Sequence, residues 1–367
     1  MNPQPKNGIE LASISDARRV GLKYVTAGEL GIARRRRGKG FVYLDAHGKV
    51  IRDASTLERI NALAIPPAWE SVWICSTERG HLQVIGRDAK GRKQYIYHSA
   101  YRQARDFNKF NHVISFGAAL PRVRRTVARD LSRPGLPKRK VMALMVRLLD
   151  QTCLRIGNNE YARTNGSYGL TTLKDEHVEI RGSKIHFHFR AKSGVEQDIS
   201  LSNRRLAKML KQTRDVEGED LFQYRGEDGE FHSVQSADVN GYLREVARED
   251  VTAKDFRTWH GTVQMLRELS QSGPANSATD AKRRLSAAVK ITAERLGNRP
   301  ATCRGYYIHP DVIESYLSRK LFRAMENCEV TRSLHTYETA LLKLVQKVHR
   351  PRVKIQSSES ARAPRAA

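Results

Sequence analysis

A chain of 367 residues exceeds the roughly 250 to 300 at which single cores stop growing, so two domains are expected. Hydrophobic residues make up 40% and charged residues 28%, which excludes a disordered or collagen-like polymer. Lys and Arg total 65 against 39 Asp and Glu, a formal charge of +26; such a field calls for a polyanionic partner without choosing between DNA, RNA and an anionic membrane.

The four cysteines, Cys75, Cys153, Cys303 and Cys328, are far apart with no CxxC pair. Neither a zinc site nor a disulfide framework is expected, and reduced thiols suit a cytoplasmic protein. Met1 to Gly8 holds no apolar run of signal-peptide length, and no stretch of about 18 apolar residues occurs, so secretion and membrane insertion are not expected.

In chain order, the first hundred or so residues read as short strands punctuated by turns. Arg34 to Arg37, with Gly38 and Lys39, reads as a basic loop, either solvated or phosphate-contacting. Phe41 to Leu44 is a strand, Asp45 to Gly48 its turn, and Val50-Ile51 a return strand; Val72 to Cys75 is a further β-rich run. His81 to Ile85 and Gln94 to His98, joined through Asp88-Ala89-Lys90-Gly91, form a hairpin pattern. After about Ala104 the period lengthens to that of helices. Val141, Leu144, Met145 and Leu148 share a face of a helix that Gly157 is expected to end, and Leu285, Ala288, Val289, Thr292 and Leu296 share a face of one that Gly297 stops. Between them, Val178 to Ile180 and Lys184 to Arg190 alternate as strands, with Ile185, Phe187 and Phe189 on one face and His186, His188 and Arg190 on the other. The fold class is therefore α+β. A small β-rich N-terminal domain (1–104) precedes a larger, mostly helical domain (105–350) that contains a small hairpin sheet, and a disordered basic tail (351–367) follows.

No GxxxxGK[ST] loop, no GxGxxG after a strand and no HExxH occurs, which argues against nucleotide-driven motors, dinucleotide enzymes and zincins. His186 and His188 lack further ligands nearby, so they are solvated or DNA-facing and no metal site is expected. Four clusters remain: Leu154-Arg155-Ile156-Gly157, Arg190-Ala191-Lys192-Ser193-Gly194, Lys254 to Gly261, and Gly297-Asn298 followed by Arg304 to Pro310. Singly each is weak. A lone arginine or lysine is ordinarily solvated, and Tyr307 alone reads as a packed aromatic.

In this order and spacing, the clusters resemble the active-site set of type IB DNA topoisomerases of the poxvirus-like and bacterial branch, relatives of the tyrosine recombinases. The resemblance spans roughly residues 30 to 325. It implies Tyr307 as nucleophile, with Tyr306 as the decoy, and Arg155, Lys192, Arg257 and Asn298 as its partners. It also implies that the segment Gly86 to Tyr97 contacts DNA through Arg92, Gln94, Tyr95 and Tyr97, with Tyr161 in a supporting role or simply packed. Two departures stand out. Asn298 occupies a position where many relatives have His, and Lys254 stands three residues before Arg257, where recombinases usually have His.

The chemistry fits independently. Paired guanidiniums, Arg155 and Arg257, suit the charge that builds on phosphoryl oxygens during tyrosine attack. The Lys192 ammonium, on a hairpin turn, suits protonation of a leaving 5′ hydroxyl. A tyrosine of ordinary pKa about 10 needs cationic neighbours to act as a phenolate, and an amide at 298 donates a hydrogen bond without adding charge. The resemblance thus implies a monomeric two-domain clamp on duplex DNA in the cytoplasm, associated with the nucleoid. It would relax supercoils through a transient 3′-phosphotyrosyl link, without ATP, cofactor or obligatory metal. A site-specific tyrosine recombinase and a non-catalytic basic DNA-binding protein are the alternatives.

Overall fold

Alternating residues build the first sheet, and helical periodicity builds nearly everything after it. The structure, a computed structural model, describes residues 8–26, 28–216, 218–326 and 335–348; Cys328 and the basic tail expected at 351–367 lie outside these residues. The chain divides after Asn111 into two units.

The first unit starts with α1 (Gly8–Arg19) and contains a five-stranded antiparallel sheet in the order β2-β1-β3-β4-β5. Its strands are β1 (Gly31–Arg37), β2 (Gly40–Leu44), β3 (Glu70–Cys75), β4 (Leu82–Arg87) and β5 (Lys93–Tyr97), with α2 (Ala54–Ala62) between β2 and β3. Ile32, Ile74, Val84 and Ile96 fall in one row across four strands, and with Val72 they pack on Ile60 of α2. The arginine run is not a loop: Arg34 to Arg37 form the second half of β1, paired with Gly40 to Tyr43 of β2. Composition hides this strand, because its ladder bonds come from the backbone and Arg34 finds its partners far along the chain. The Arg34 guanidinium donates to the carbonyls of Ile65 (3.3 Å), Pro66 (3.1 Å) and Trp69 (2.6 Å) and lies 4.2 Å from the Phe41 ring centroid.

Helix α3 (Ser99–Asp130) runs through the division into the second unit, which is mostly helical. At its centre lies α4 (Lys138–Thr152), in which Val141 to Val146, Leu148 and Leu149 are all buried. Periodicity assigns this helix a single apolar face, whereas packing covers it all round. It also stops earlier than expected. Cys153 takes a left-handed φ of 57° and its N–H bonds to the Leu149 carbonyl, so Gly157 does not end the helix. Gly157, at φ 107°, serves a crossing instead: a Cβ there would lie 2.7 Å from Thr171 Oγ1 and 3.1 Å from the Gly169 carbonyl carbon.

After α5 (Asn159–Asn165), strands β6 (Val178–Arg181), β7 (Lys184–Arg190) and β8 (Glu196–Ser202) form a three-stranded sheet, with Ile185, Phe187 and Phe189 buried as their alternation predicts. Then come α6 (Arg204–Arg214), the ribbon of β9 (Gln223–Arg225) and β10 (Phe231–Ser233), α7 (Ser236–Ala247), α8 (Ala253–Ser272) and α9 (Ala278–Arg295). The short α10 (Pro300–Tyr306), α11 (Pro310–Leu317), α12 (Lys320–Glu326) and α13 (Thr336–Val348) complete the described chain. Among the described residues no helix is long and apolar enough to cross a membrane.

A buried polar network ties four helices of this unit together. Arg124 of α3 bonds in a fork to Asp150 of α4 (2.8 and 2.9 Å) and to Glu338 of α13 (2.8 and 2.9 Å). On α8, Trp259 Nε1 donates to Glu338 (2.9 Å) and His260 Nε2 lies 3.1 Å from Asp150. Burial alone would raise the Asp150 carboxyl, but His260 and Arg124 hold it well below the usual carboxylate range. Its contribution to stability is therefore present above the unfolded-state value of about 3.9 and is lost as pH falls below it. Arg124→Met strands two buried carboxylates and should cost about 3 to 5 kcal/mol, read as a lower urea midpoint with an unchanged denaturant slope.

Candidate active site

Arg257 sits one turn into α8, a helix whose start is closed by Thr252, which donates its N–H (2.7 Å) and hydroxyl (2.9 Å) to Asp255. Although only 3% exposed, its guanidinium meets no carboxylate among the described residues. It donates to the Cys153 carbonyl, just past α4, and to the Leu296 carbonyl, at the end of α9 (2.8 Å). Helix C-termini carry unpaired carbonyls and partial negative charge, so two of them can hold one buried cation.

The end of α9 also places Asn298. Gly297, at φ 58°, donates its N–H to Glu294 O (3.0 Å), and Asn298 N–H reaches back to Ala293 O (2.9 Å), closing the helix as the sequence predicts. Asn298 Oδ1 then accepts from Arg155 Nη2 at 2.5 Å. A guanidinium only donates, so the amide oxygen must face it and the amide NH2 is left to point elsewhere. Both Asn298 Nδ2 and Arg257 Nε are buried without a hydrogen-bond partner. Orphaned buried donors are costly, and a ligand made of acceptor oxygens would satisfy them.

Tyr307 closes α10, its N–H bonded to the Cys303 carbonyl (2.9 Å). Helix α8 seats it. Thr262 Oγ1 lies 2.7 Å from the Thr258 carbonyl and 3.2 Å from the Tyr307 carbonyl, and it accepts the His309 N–H at 3.1 Å. Gly261 admits the close approach, since a Cβ there would fall 2.8 Å from Tyr307 O. The Arg257 guanidinium lies 5.1 Å from the Tyr307 ring centroid. Burial raises the phenol, but Arg257, then Arg155 and Lys254, outweigh it and hold Tyr307 below the ordinary tyrosine value. Burial and the neighbouring Arg257 push Arg155 down as well, while Tyr307 offsets part of this. Thr262 escaped the sequence reading, and Gly261 entered it only as the end of a cluster, with no role assigned; their signal is small residues one turn beyond Arg257 on the same helix.

Arg155, Arg257, Asn298 and Tyr307 are thus brought together, and Lys192 is not. It is exposed on the turn between β7 and β8, where Ser193 and Gly194 both have positive φ. The base of that hairpin is nevertheless anchored beside the cluster. Tyr168 N–H bonds to Arg190 O and Leu170 N–H to Arg155 O, both at 2.8 Å, and a Cβ on Gly297 would meet Gln197 Nε2 of β8 at 2.4 Å. On α5, Tyr161 is 56% exposed, and Tyr306 is 60% exposed.

In the first unit, Arg92 pairs with Asp88 at 2.6 Å and Gln94 Nε2 donates to the same carboxylate at 2.9 Å. Tyr95, 46% exposed, stacks on Tyr97 with ring centroids 6.1 Å apart. Tyr97 is half-buried against His81 and Tyr101.

Residues 98–332 match the family model described as eukaryotic DNA topoisomerase I, catalytic core, and residues 40–88 match that of the bacterial DNA topoisomerase IB N-terminal domain. A DNA topoisomerase 1B of Acanthamoeba polyphaga mimivirus is 32% identical over 80% of this chain and 89% of its own. The DNA topoisomerase 1B of vaccinia virus (strain Copenhagen) is 23% identical over 67% and 75%, and the DNA topoisomerase 1 of rabbit fibroma virus (strain Kasza) 25% over 63% and 70%. The five catalytic candidates all lie in the matched core, whereas Arg92, Gln94, Tyr95 and Tyr97 fall between the two matched segments.

The electrostatics of the cluster are open to direct measurement. An ultraviolet difference titration of the wild type against Tyr307→Phe should show one phenol ionising below about 10, and Arg155→Gln should move that step upward.

Proposed function

Because the chain belongs to the type IB DNA topoisomerase family, poxvirus-like branch, we propose that it relaxes supercoiled duplex DNA with Tyr307 as nucleophile. One observation carries the residue assignment. The Tyr307 phenol lies against Arg257 and Arg155, beside two buried donors, Asn298 Nδ2 and Arg257 Nε, that lack an acceptor. A phosphodiester brings acceptor oxygens and the negative charge that this cluster favours.

In the proposed reaction Tyr307 Oη attacks a backbone phosphorus and releases its proton to solvent. The P–O5′ bond breaks, and the departing oxygen takes a proton from the Lys192 ammonium. A 3′-phosphotyrosyl link and a 5′ hydroxyl result. Once the free end has rotated, the hydroxyl attacks the link and returns its proton to the Lys192 amine, the P–Oη bond breaks, the departing phenolate takes up a proton from solvent, and the strand is resealed. The phosphotyrosine stores the energy of the broken bond, so neither ATP nor a metal ion enters the balance. Arg155 and Arg257 stabilise the pentacoordinate oxygens, and Asn298 adds a neutral donor held in orientation by Arg155. Lys192 acts only once DNA draws its turn inward, which keeps proton donation linked to a bound substrate. The two units grip one duplex, with Tyr95 and Tyr97, stacked on one face of the first unit's sheet, on its major groove, Arg92 and Gln94 reaching it from the open edge of the β4-β5 hairpin, and Tyr161 of the second beside the backbone. One strand is cut at a time, so a monomer in the cytoplasm suffices. The recombinase alternative is weaker: both matched segments are topoisomerase models, and Lys254 stands where recombinases carry His.

The test is relaxation of supercoiled plasmid in EDTA without ATP. Wild type and Tyr306→Phe should relax it, and Tyr307→Phe should neither relax it nor form a covalent adduct. Lys192→Ala should slow cleavage by about 10²- to 10⁴-fold, the usual contribution of a general acid. Asn298→Ala, removing one oxyanion donor, should slow it by up to about 10²- to 10³-fold. A Tyr307→Phe protein that still relaxes plasmid would overturn the assignment.

A further inference from the structure

The arginine run of β1 has no part in the reaction, yet its geometry divides it sharply. Side chains alternate across a strand, so Arg34 and Arg36 lie on one face and Arg35 and Arg37 on the other. The first face is the core side, shared with Ile32, and Arg34 is fully engaged there by three carbonyls and Phe41. The second face can be traced across the sheet by register. Ala33 stands opposite Trp73, Trp73 opposite Ile85, and Ile85 opposite Tyr95, so all four share one face. Arg35 and Arg37, two and four residues beyond Ala33, therefore project from the face that carries Tyr95, as does Lys93. Both arginines are exposed. The hairpin acid Asp88 is already engaged by Arg92 and Gln94 and does not neutralise them.

We infer that Arg35 and Arg37 are duplex-binding residues that grip backbone phosphates beside the groove occupied by β5. This rests on the reading of the protein as a duplex-DNA enzyme with Tyr95 on the groove. Strands in a sheet lie about 4.8 Å apart, so β1, three strands from β5, is displaced by about 14 Å. The major groove is about 12 Å wide. With β5 over the groove, β1 falls over the phosphate wall, where a guanidinium gains charge-assisted contacts and reads no sequence. Arg36, of equal charge and on the opposite face, makes no such contact.

The experiment measures binding of a short labelled duplex across a salt series, in a full-length Tyr307→Phe background so that no covalent adduct intervenes. Each phosphate contact contributes about 0.9 to the slope of log affinity against log salt. Arg35→Gln and Arg37→Gln should each make that slope shallower by about 0.9, equally for unrelated sequences, and Arg36→Gln should leave it unchanged. Equal losses for all three variants would show only a general charge effect and overturn the inference, as would no loss from Arg35→Gln and Arg37→Gln. The underlying reading is judged separately. Failure of wild-type protein to relax plasmid would sink the topoisomerase assignment, and unchanged binding by Tyr95→Ala would sink the placement of β5, whichever way the arginines behave.

Discussion

A buried guanidinium held by two helix ends is the constraint on which the catalytic unit turns. Arg257 reaches from α8 to the Cys153 carbonyl beyond α4 and the Leu296 carbonyl at the end of α9. Those are the points from which the chain departs toward Arg155 and Asn298. One side chain therefore fixes the spacing of the segments bearing the other polar groups, and its own helix supplies Gly261 and Thr262 to seat Tyr307. Carbonyl dipoles neutralise Arg257 only in part, whereas a carboxylate would cancel its charge. Enough positive potential remains to lower the phenol against the effect of burial.

The same logic separates framework from site. Where the unit needs rigidity, every charged group has a partner: Arg124 is bonded by both Asp150 and Glu338, and the network continues into Trp259 and His260, the neighbours of the turn that carries Arg257. Where it proposes to bind phosphate, cations are left short of anions and donors short of acceptors. Holding Arg155 and Arg257 together without a counter-ion is unfavourable in the free protein, and a phosphodiester between them would relieve it.

Sequence and structure agree most closely where a local rule has a local cause. The alternation of Ile185, Phe187 and Phe189 gave a strand with a buried face, and Gly297 gave a helix end. They part where the cause is distant in sequence. Four arginines in a row carry no apolar alternation, yet they form a strand because β2 pairs with them and because carbonyls about 31 to 35 positions further on receive Arg34. Gly157 looked like a helix stop, but the chain crossing at Gly169 is what demands it, and Cys153 takes the left-handed position four residues earlier.

By itself the sequence determined the polyanionic partner, the α+β class and the candidate chemistry, since charge, periodicity and the order of the Arg, Lys, Asn and Tyr clusters are properties of the chain. Only the tertiary structure decided how those residues relate. It turned the amide NH2 of Asn298 away from Arg155, because a guanidinium cannot accept a hydrogen bond from it. It placed Tyr307, half-buried, among cationic neighbours and left Tyr306 and Lys192 exposed. These outcomes depend on distances between groups some 50 to 140 residues apart, and such distances exist only once helices and strands have packed.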